Sequence, residues 1–332
     1  MKLSILDQAV VPKNTDASEA LNNAVELAIV GEELGYERIW LAEHHNNEGI
    51  ASSAPEITMA HIAAKTKRIH VGSGGTMVMH YAPYKLAETF KTLSALSPGR
   101  VDFGAGRAPG GDHYSTMALS EGRPPAYDSA YTKIREALAL MNDQMPENPL
   151  YHNAFAVPLN VTLPTAWLLG STGDSAYQAG RMGLGYSYAQ FFTGKMEPDV
   201  FKRYRESFSP SYFMEKPNII VCYMITVAET IEEAEYEALP ADISRLNLMR
   251  GRLEQRLSPE EAQNYPLTER DRLAISENRK AHLVGTPAML KDMLEAEQAL
   301  HGFDEAMILC PPYAQSKRLE MYRLLADTFI TQ

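Results

Sequence analysis

The chain has 332 residues, 45% hydrophobic and 22% charged, with a formal net charge of −11; this supports one sizeable globular core, long for a typical domain but within the range of a single α/β barrel with insertions. The acidic balance argues against nucleic acid and anionic membranes as partners, and no stretch reads as a signal peptide or reaches transmembrane length. The two cysteines, Cys222 and Cys310, each sit in an apolar run and read as buried free thiols without a disulfide framework, so the expected compartment is the cytoplasm.

In chain order, residues 2–6 read as the first strand. Residues 17–34 carry Leu21, Val25, Ala28 and Ile29 at helical spacing, stopped by Gly35. Residues 38–42 form the second strand. A helix over 55–65 is entered at a proline, which suits a first turn. Residues 69–73 are the third strand, 83–96 a helix closed by Ser97-Pro98-Gly99, and 100–105 the fourth strand. A polar excursion rich in Gly and Pro follows over 106–125, then a helix over 127–141. Residues 145–163 read as a loop or small hairpin. A fifth strand over 165–169 leads into a helix over 172–182. Residues 185–189 are strand-like, 197–207 helical, 218–227 a strong strand and 231–238 an acidic helix. A last strand over 305–309 and a terminal helix complete the chain.

Strands alternating with helices mean parallel βαβ units, and their number approaches eight. The expected fold is a TIM (β/α)8 barrel with insertions at the C-terminal ends of its strands, in one domain over 1–332. A doubly wound open sheet would want Gly-x-Gly-x-x-Gly after the first strand, and Leu6-Asp7-Gln8-Ala9 does not supply it. Residues 239–275 interrupt the rhythm. Leu246, Met249, Leu253 and Leu257 keep helical spacing while Arg245, Arg250, Arg252, Glu254 and Arg256 fill the other faces. This insertion is either a surface helix pair or a lid over the strand exits.

Four strand exits carry chemistry. At the second, Ile39-Trp40-Leu41-Ala42 runs into Glu43-His44-His45-Asn46. A polar cluster at a strand exit is where parallel α/β folds place their sites. The two histidines are adjacent, lack the spacing of His-Glu-x-x-His and have no cysteine or carboxylate pair nearby, so metal binding is not the reading. Adjacent residues on an extended backbone point to opposite sides, so one histidine would face a pocket while the other is held from behind. At the third exit, Gly72-Ser73-Gly74-Gly75-Thr76 leaves bare backbone for a flat ligand, or else makes a tight turn. At the fourth, Gly106-Arg107 suits an anionic ligand, though a surface salt bridge would look the same. At the fifth, Gly170-Ser171-Thr172-Gly173-Asp174-Ser175 leads into a helix start, either an anion site with added hydroxyl donors or a simple N-cap. Asp174 would repel a phosphate unless turned away.

Together these stretches resemble the bacterial-luciferase-like flavin-dependent monooxygenases. The likeness runs from the first strand to the last helix. It is carried by residues 40–46, 72–83 and 97–107, by Gly170-Ser171-Thr172 with Ser175, and by Gly285-Thr286-Pro287 before the last helix. The resemblance implies that His44 is the general base near the flavin, oriented by His45 or Glu43. It implies a cis Gly74-Gly75 peptide under the flavin ring, with Thr76, Gly106 and Gly170 lining the cofactor. Arg107, Ser171, Thr172 and Ser175 would hold its phosphate. Gly106 stands where luciferase carries a reactive cysteine, which gives no support to light emission, and Ser171 where it carries a glutamate. The implied cofactor is reduced FMN, with the deazaflavin F420 as the alternative. The implied reaction takes O2 and a small organic substrate, with a separate NAD(P)H:flavin reductase supplying electrons to a homodimer. Hydride transfer with deazaflavin and a non-catalytic flavin carrier on the same fold are the rival readings.

Overall fold

A computed structural model describes residues 1–123 and 129–330. Among the described residues there are ten strands: β1 Lys2–Asp7, β2 Arg38–Leu41, β3 His70–Ser73, β4 Thr76–Met77, β5 Val101–Gly106, β6 Thr165–Gly170, β7 Gly185–Ala189, β8 Ile219–Val227, β9 Leu283–Gly285 and β10 Glu305–Leu309. All pairings between them are parallel, in the order β10-β1-β2-β3-β5-β6-β7-β8. Register at β10 closes the ring, since Ala306 pairs with Leu3 on one side and Val221 on the other. The result is a closed eight-stranded parallel barrel, the TIM barrel. β4 and β9 are short additions against the upper ends of β5 and β8. Two- and three-residue strands carry no periodicity, and sequence reading does not find them.

The surrounding helices begin and end on local signals. Asp16 accepts from the Glu19 N–H to open Ala17–Leu34, and Gly35 closes it at φ +88°. Pro55–Lys65, Pro83–Leu96 and Pro287–His301 each start on a proline, whose missing N–H would have no partner there anyway. The segment Gly285–Pro287 therefore opens the penultimate helix, because β10 and Gln315–Phe329 still follow.

Three expectations need correction. The acidic helix does not stop at 238. It continues as Ile231–Met249 through Pro240, because Ala234, Ala238, Ala241 and Ile243 keep its inner face buried. Helical spacing up to Leu257 does not survive, since the chain leaves the helix at Arg250 and turns at Gly251, φ +72°. The insertion instead carries Pro259–Gln263 and Glu269–Asn278. The 106–125 excursion contains a helix, His113–Leu119, capped by Asp112; of the two readings of 145–163 the loop holds, with one 3-10 turn at Pro149–Tyr151. Of the helix expected over 127–141, Ala130–Met141 is observed; residues 127 and 128, like 124 and 125 of the excursion, lie outside the described residues.

The barrel interior is filled in two layers. Near the strand starts, Arg38 donates to Glu305 (2.8 and 3.1 Å) and Asp102 (2.7 Å), while Trp40 Nε1 donates to Asp102 (2.8 Å). Burial works against the Arg38 charge, but these two carboxylates outweigh it and hold its pKa above the usual value. Above this layer lie Leu6, Trp40, Trp167, Cys222, Met307 and Leu309. A Cβ on Gly72 would fall 2.5 Å from the Trp40 ring, so the tryptophan fits only against bare backbone. With its lower half plugged, the barrel offers ligands only the C-terminal ends of its strands. Both cysteines are free and buried. No helix of the described residues is long and apolar enough to cross a membrane.

Candidate active site

A cavity of about 1380 Å³ opens over the strand exits. Its floor includes Asp7 at the end of β1, His44 and His45 after β2, Met224 of β8 and Leu309 of β10. Its far wall comes from the insertion, with Arg245, Leu248, Met249, Leu253 and Arg256.

Glu43 is fully buried behind this floor. Its carboxylate accepts from the Tyr81 hydroxyl (2.8 Å), the Met77 backbone N–H (2.9 Å) and His45 Nε2 (2.9 Å). A carboxylate only accepts, so the His45 proton sits on Nε2. Burial and then Glu43 push the Tyr81 phenol well above its ordinary pKa. His45 also meets His80 edge-on at 5.7 Å. Glu43 and His45 thus brace each other, and neither orients His44 as sequence reading expects. His44 is placed by its backbone, whose N–H donates to Ser52 O at 2.9 Å. Its Nδ1 is buried without a partner among the described residues, which leaves Nε2 as the nitrogen able to exchange a proton in the cavity. Both histidines line the cavity, so the separation into one facing and one hidden residue is by partner, not by side. Burial first, then His45, lowers the His44 pKa, with Glu43 opposing. The ring is therefore neutral at pH 7, and a neutral imidazole can accept a proton.

The Gly74-Gly75 peptide is cis. A Cβ on Gly74 would lie 2.7 Å from Leu6 and 3.0 Å from Trp40, and one on Gly75 2.9 Å from Gly104 O. The missing side chains therefore make room for the barrel interior. Thr76 is buried and pairs with Ala105, and Gly106 packs against Met77.

Arg107 and the helix Gly173–Arg181 do come together. The Arg107 guanidinium lies 4.5 Å over the Tyr131 ring and 3.6 Å from Asp174, which also accepts from the Tyr131 hydroxyl at 2.8 Å. Asp174 is turned toward the cation, where an exposed carboxylate can give way to a stronger anion. Thr172 and Ser175 form a capping box. Ser175 is buried, its hydroxyl donating to Thr172 O (2.8 Å) and lying 3.0 Å from the Tyr186 hydroxyl. Its hydroxyl is consumed by the cap and is not a free donor. Ser171 stands just before the cap, at the exit of β6 after Gly170.

Sequence reading missed Arg203 here. A Cβ on Gly173 would lie 3.4 Å from its Nη1, so a second cation flanks this helix start. Arg203 sits in Pro198–Ser207, and nothing in its local sequence signals the approach. None of Gly74, Gly75, Thr76, Gly106, Arg107 or 170–175 lines the cavity that His44 and His45 line. The site has two parts, a cationic helix start over β5 and β6 and a large cavity over β10, β1 and β2.

The family model described as luciferase-like monooxygenase matches residues 1–304. The uncharacterized protein YceB of Bacillus subtilis (strain 168) is 39% identical over 99% of both chains. The N-acetyl-S-alkylcysteine monooxygenase of the same organism is 33% identical, covering 99% of this chain and 98% of its own. Among solved structures, apo-MsnO8 superposes with a TM-score of 0.90 at 33% identity, over 100% of this chain and 99% of that one.

Proposed function

The chain belongs to the luciferase-like monooxygenase family, and from that premise we propose that it is a monooxygenase using reduced FMN and O2 to oxygenate a small organic substrate. One observation supports this most. A neutral His44 lies in the wall of a cavity of about 1380 Å³, while a cationic helix start suited to a phosphate lies on the same barrel face. Arg107, Arg203 and the first N–H groups of Gly173–Arg181 would hold the FMN phosphate, with Ser171 and Thr172 at the rim. Thr172 and Ser175 keep that helix end in shape. The Gly74-Gly75 stretch would lie along the flavin ring. Reduced FMN supplies the electrons that activate oxygen. His44 moves a proton through Nε2, and Glu43 with Tyr81 and His45 holds the strand exit rigid behind it. The insertion around 239–275 acts as a lid: Leu248, Met249 and Leu253 line the cavity with exposed apolar surface, which closure would turn against the ligand and away from water. Its root is held by His282, fully buried between Asp242 (2.9 Å) and Thr226 (2.8 Å). Electrons come from a separate NAD(P)H:flavin reductase, since the chain carries no dinucleotide fingerprint.

Oxygen uptake with photoreduced FMN, across a substrate panel that includes an N-acetyl-S-alkylcysteine, tests this reading. Substrate-dependent uptake and an oxygenated product are expected. Hydride transfer from reduced deazaflavin, with no binding of FMN, would replace it by the F420 reading; FMN binding without any turnover would leave a carrier.

The protomer is proposed to pair with a second copy. Ile57 on Pro55–Lys65 and Leu96 on Pro83–Leu96 are 68% and 73% exposed, apolar surface that a dimer would cover. Light scattering at micromolar protein should give twice 36.9 kDa; a monomer mass contradicts it.

A further inference from the structure

Arg256 leaves the insertion and reaches the floor of the cavity, where its Nη1 donates to Pro311 O at 2.7 Å just past β10. Its Nε is buried without a partner, and no carboxylate lies within 4 Å of it among the described residues. The neighbouring acid, Asp7, is already taken by Arg318 at 3.0 Å. Glu254, two residues away on the same wall, is held by Asn247 at 3.0 Å. Asn247 is neutral and leaves the Glu254 charge in place, so what sets this end of the cavity apart is Arg256 itself, a buried guanidinium with no ion-pair partner among the described residues and with Arg318 facing it. Burial and the facing Arg318 lower the Arg256 pKa to about 10, as expected of a cation whose counter-charge is missing.

With Nη1 engaged, the edge of the guanidinium formed by Nε and Nη2 is free. That edge matches the two oxygens of a carboxylate in parallel hydrogen bonds. We propose that Arg256 is the substrate-recognition residue of this cavity and that the substrate carries a carboxylate. This deepens, and rests on, the reading of the cavity as a monooxygenase site. It also gives the insertion a substrate-dependent role, because the anion would join Arg256 of the insertion to the floor beside Arg318.

The test uses N-acetyl-S-benzylcysteine and its carboxamide, titrated calorimetrically into the full-length protein without and with FMN. The acid should bind roughly tenfold to a hundredfold more tightly than the amide, the range of one charge-assisted pair. Arg256→Gln should abolish that preference while leaving FMN affinity unchanged and the fold intact by circular dichroism, and Arg256→Lys should restore only part of it. Equal binding of acid and amide by the wild type, no binding of either, or a preference that survives Arg256→Gln overturns the proposal. If FMN fails to bind while the acid preference holds and depends on Arg256, the flavin reading fails and the anion site stands.

Discussion

His44→Ala is expected to bind FMN nearly as well as the wild type and to lose on the order of 10²–10⁴-fold in the oxidation of reduced FMN by oxygen in the presence of substrate, the usual contribution of a positioned acid or base. The expectation rests on three facts about one side chain. It lines the cavity, its Nδ1 is buried and unpartnered, and its pKa is lowered by burial and by His45. A base with a lowered pKa stays in its accepting form through neutral pH and is protonated only on the acid side of about 6.5. The wild-type rate should therefore fall on an acid limb below that value, and the limb should vanish in His44→Ala. Stability moves in the same direction. The unfolded chain binds this proton more tightly than the folded one, so His44 costs increasing stability as pH drops below about 6.5 toward the folded pKa, and costs none above about 6.5. Stopped-flow oxidation across pH, with circular dichroism as the fold control, reads both. Loss of FMN affinity with full oxygen reactivity at saturation would make His44 a binding residue. An unfolded variant would make it a structural one.

The barrel was legible in the sequence because each of its eight strands is buried on both faces or nearly so. Runs such as Ile39-Trp40-Leu41 and Ile219 to Val227 then read as continuous apolar segments. Proline entries and glycine stops marked the helices between them. The candidate site was legible as a set of strand exits, since parallel barrels place their chemistry at that face. What stayed hidden depends on contacts between distant segments. Glu43 finds Tyr81 across 38 positions and Arg256 finds Pro311 across 55, and no local pattern records either. The glycines at 74 and 75 show a related limit. Sequence says that a side chain is missing but not which neighbour needs the space, and here Leu6, Trp40 and Gly104 O need it. Pro240 lies inside the helix that the sequence reading ends at 238. The hydrogen bond that proline removes weakens a helix, yet the buried alanines on either side hold this one together. At Thr172 and Ser175 the sequence left an anion site and an N-cap both open, and the structure shows the two hydroxyls closing a capping box.

Arg107→Ala should weaken FMN binding by roughly tenfold to a hundredfold, the equivalent of about 1.5–3 kcal/mol for one hydrogen bond to a charged group. The lower end is expected, because the Arg107 side chain is 38% exposed and water screens its field. Binding should not be abolished, since Arg203 and the N–H groups at the start of Gly173–Arg181 remain. The control is riboflavin, which has the same ring and no phosphate. Its affinity should be the same in wild type and variant if Arg107 acts on the phosphate alone. An equal loss for FMN and riboflavin would mean that the substitution disturbs the ring end, through the stacked Tyr131 at 4.5 Å. Asp174 supplies the opposite sign. It lies 3.6 Å from Arg107 and would face an incoming phosphate as a like charge, so Asp174→Asn should tighten FMN by a few-fold, and by less in Arg107→Ala, where no Arg107 cation remains to be released. Fluorescence titration at low ionic strength measures all four combinations. Additive effects of the two substitutions would show that Asp174 and Arg107 do not share an anion, and unchanged FMN affinity in Arg107→Ala would place the phosphate elsewhere on the barrel face.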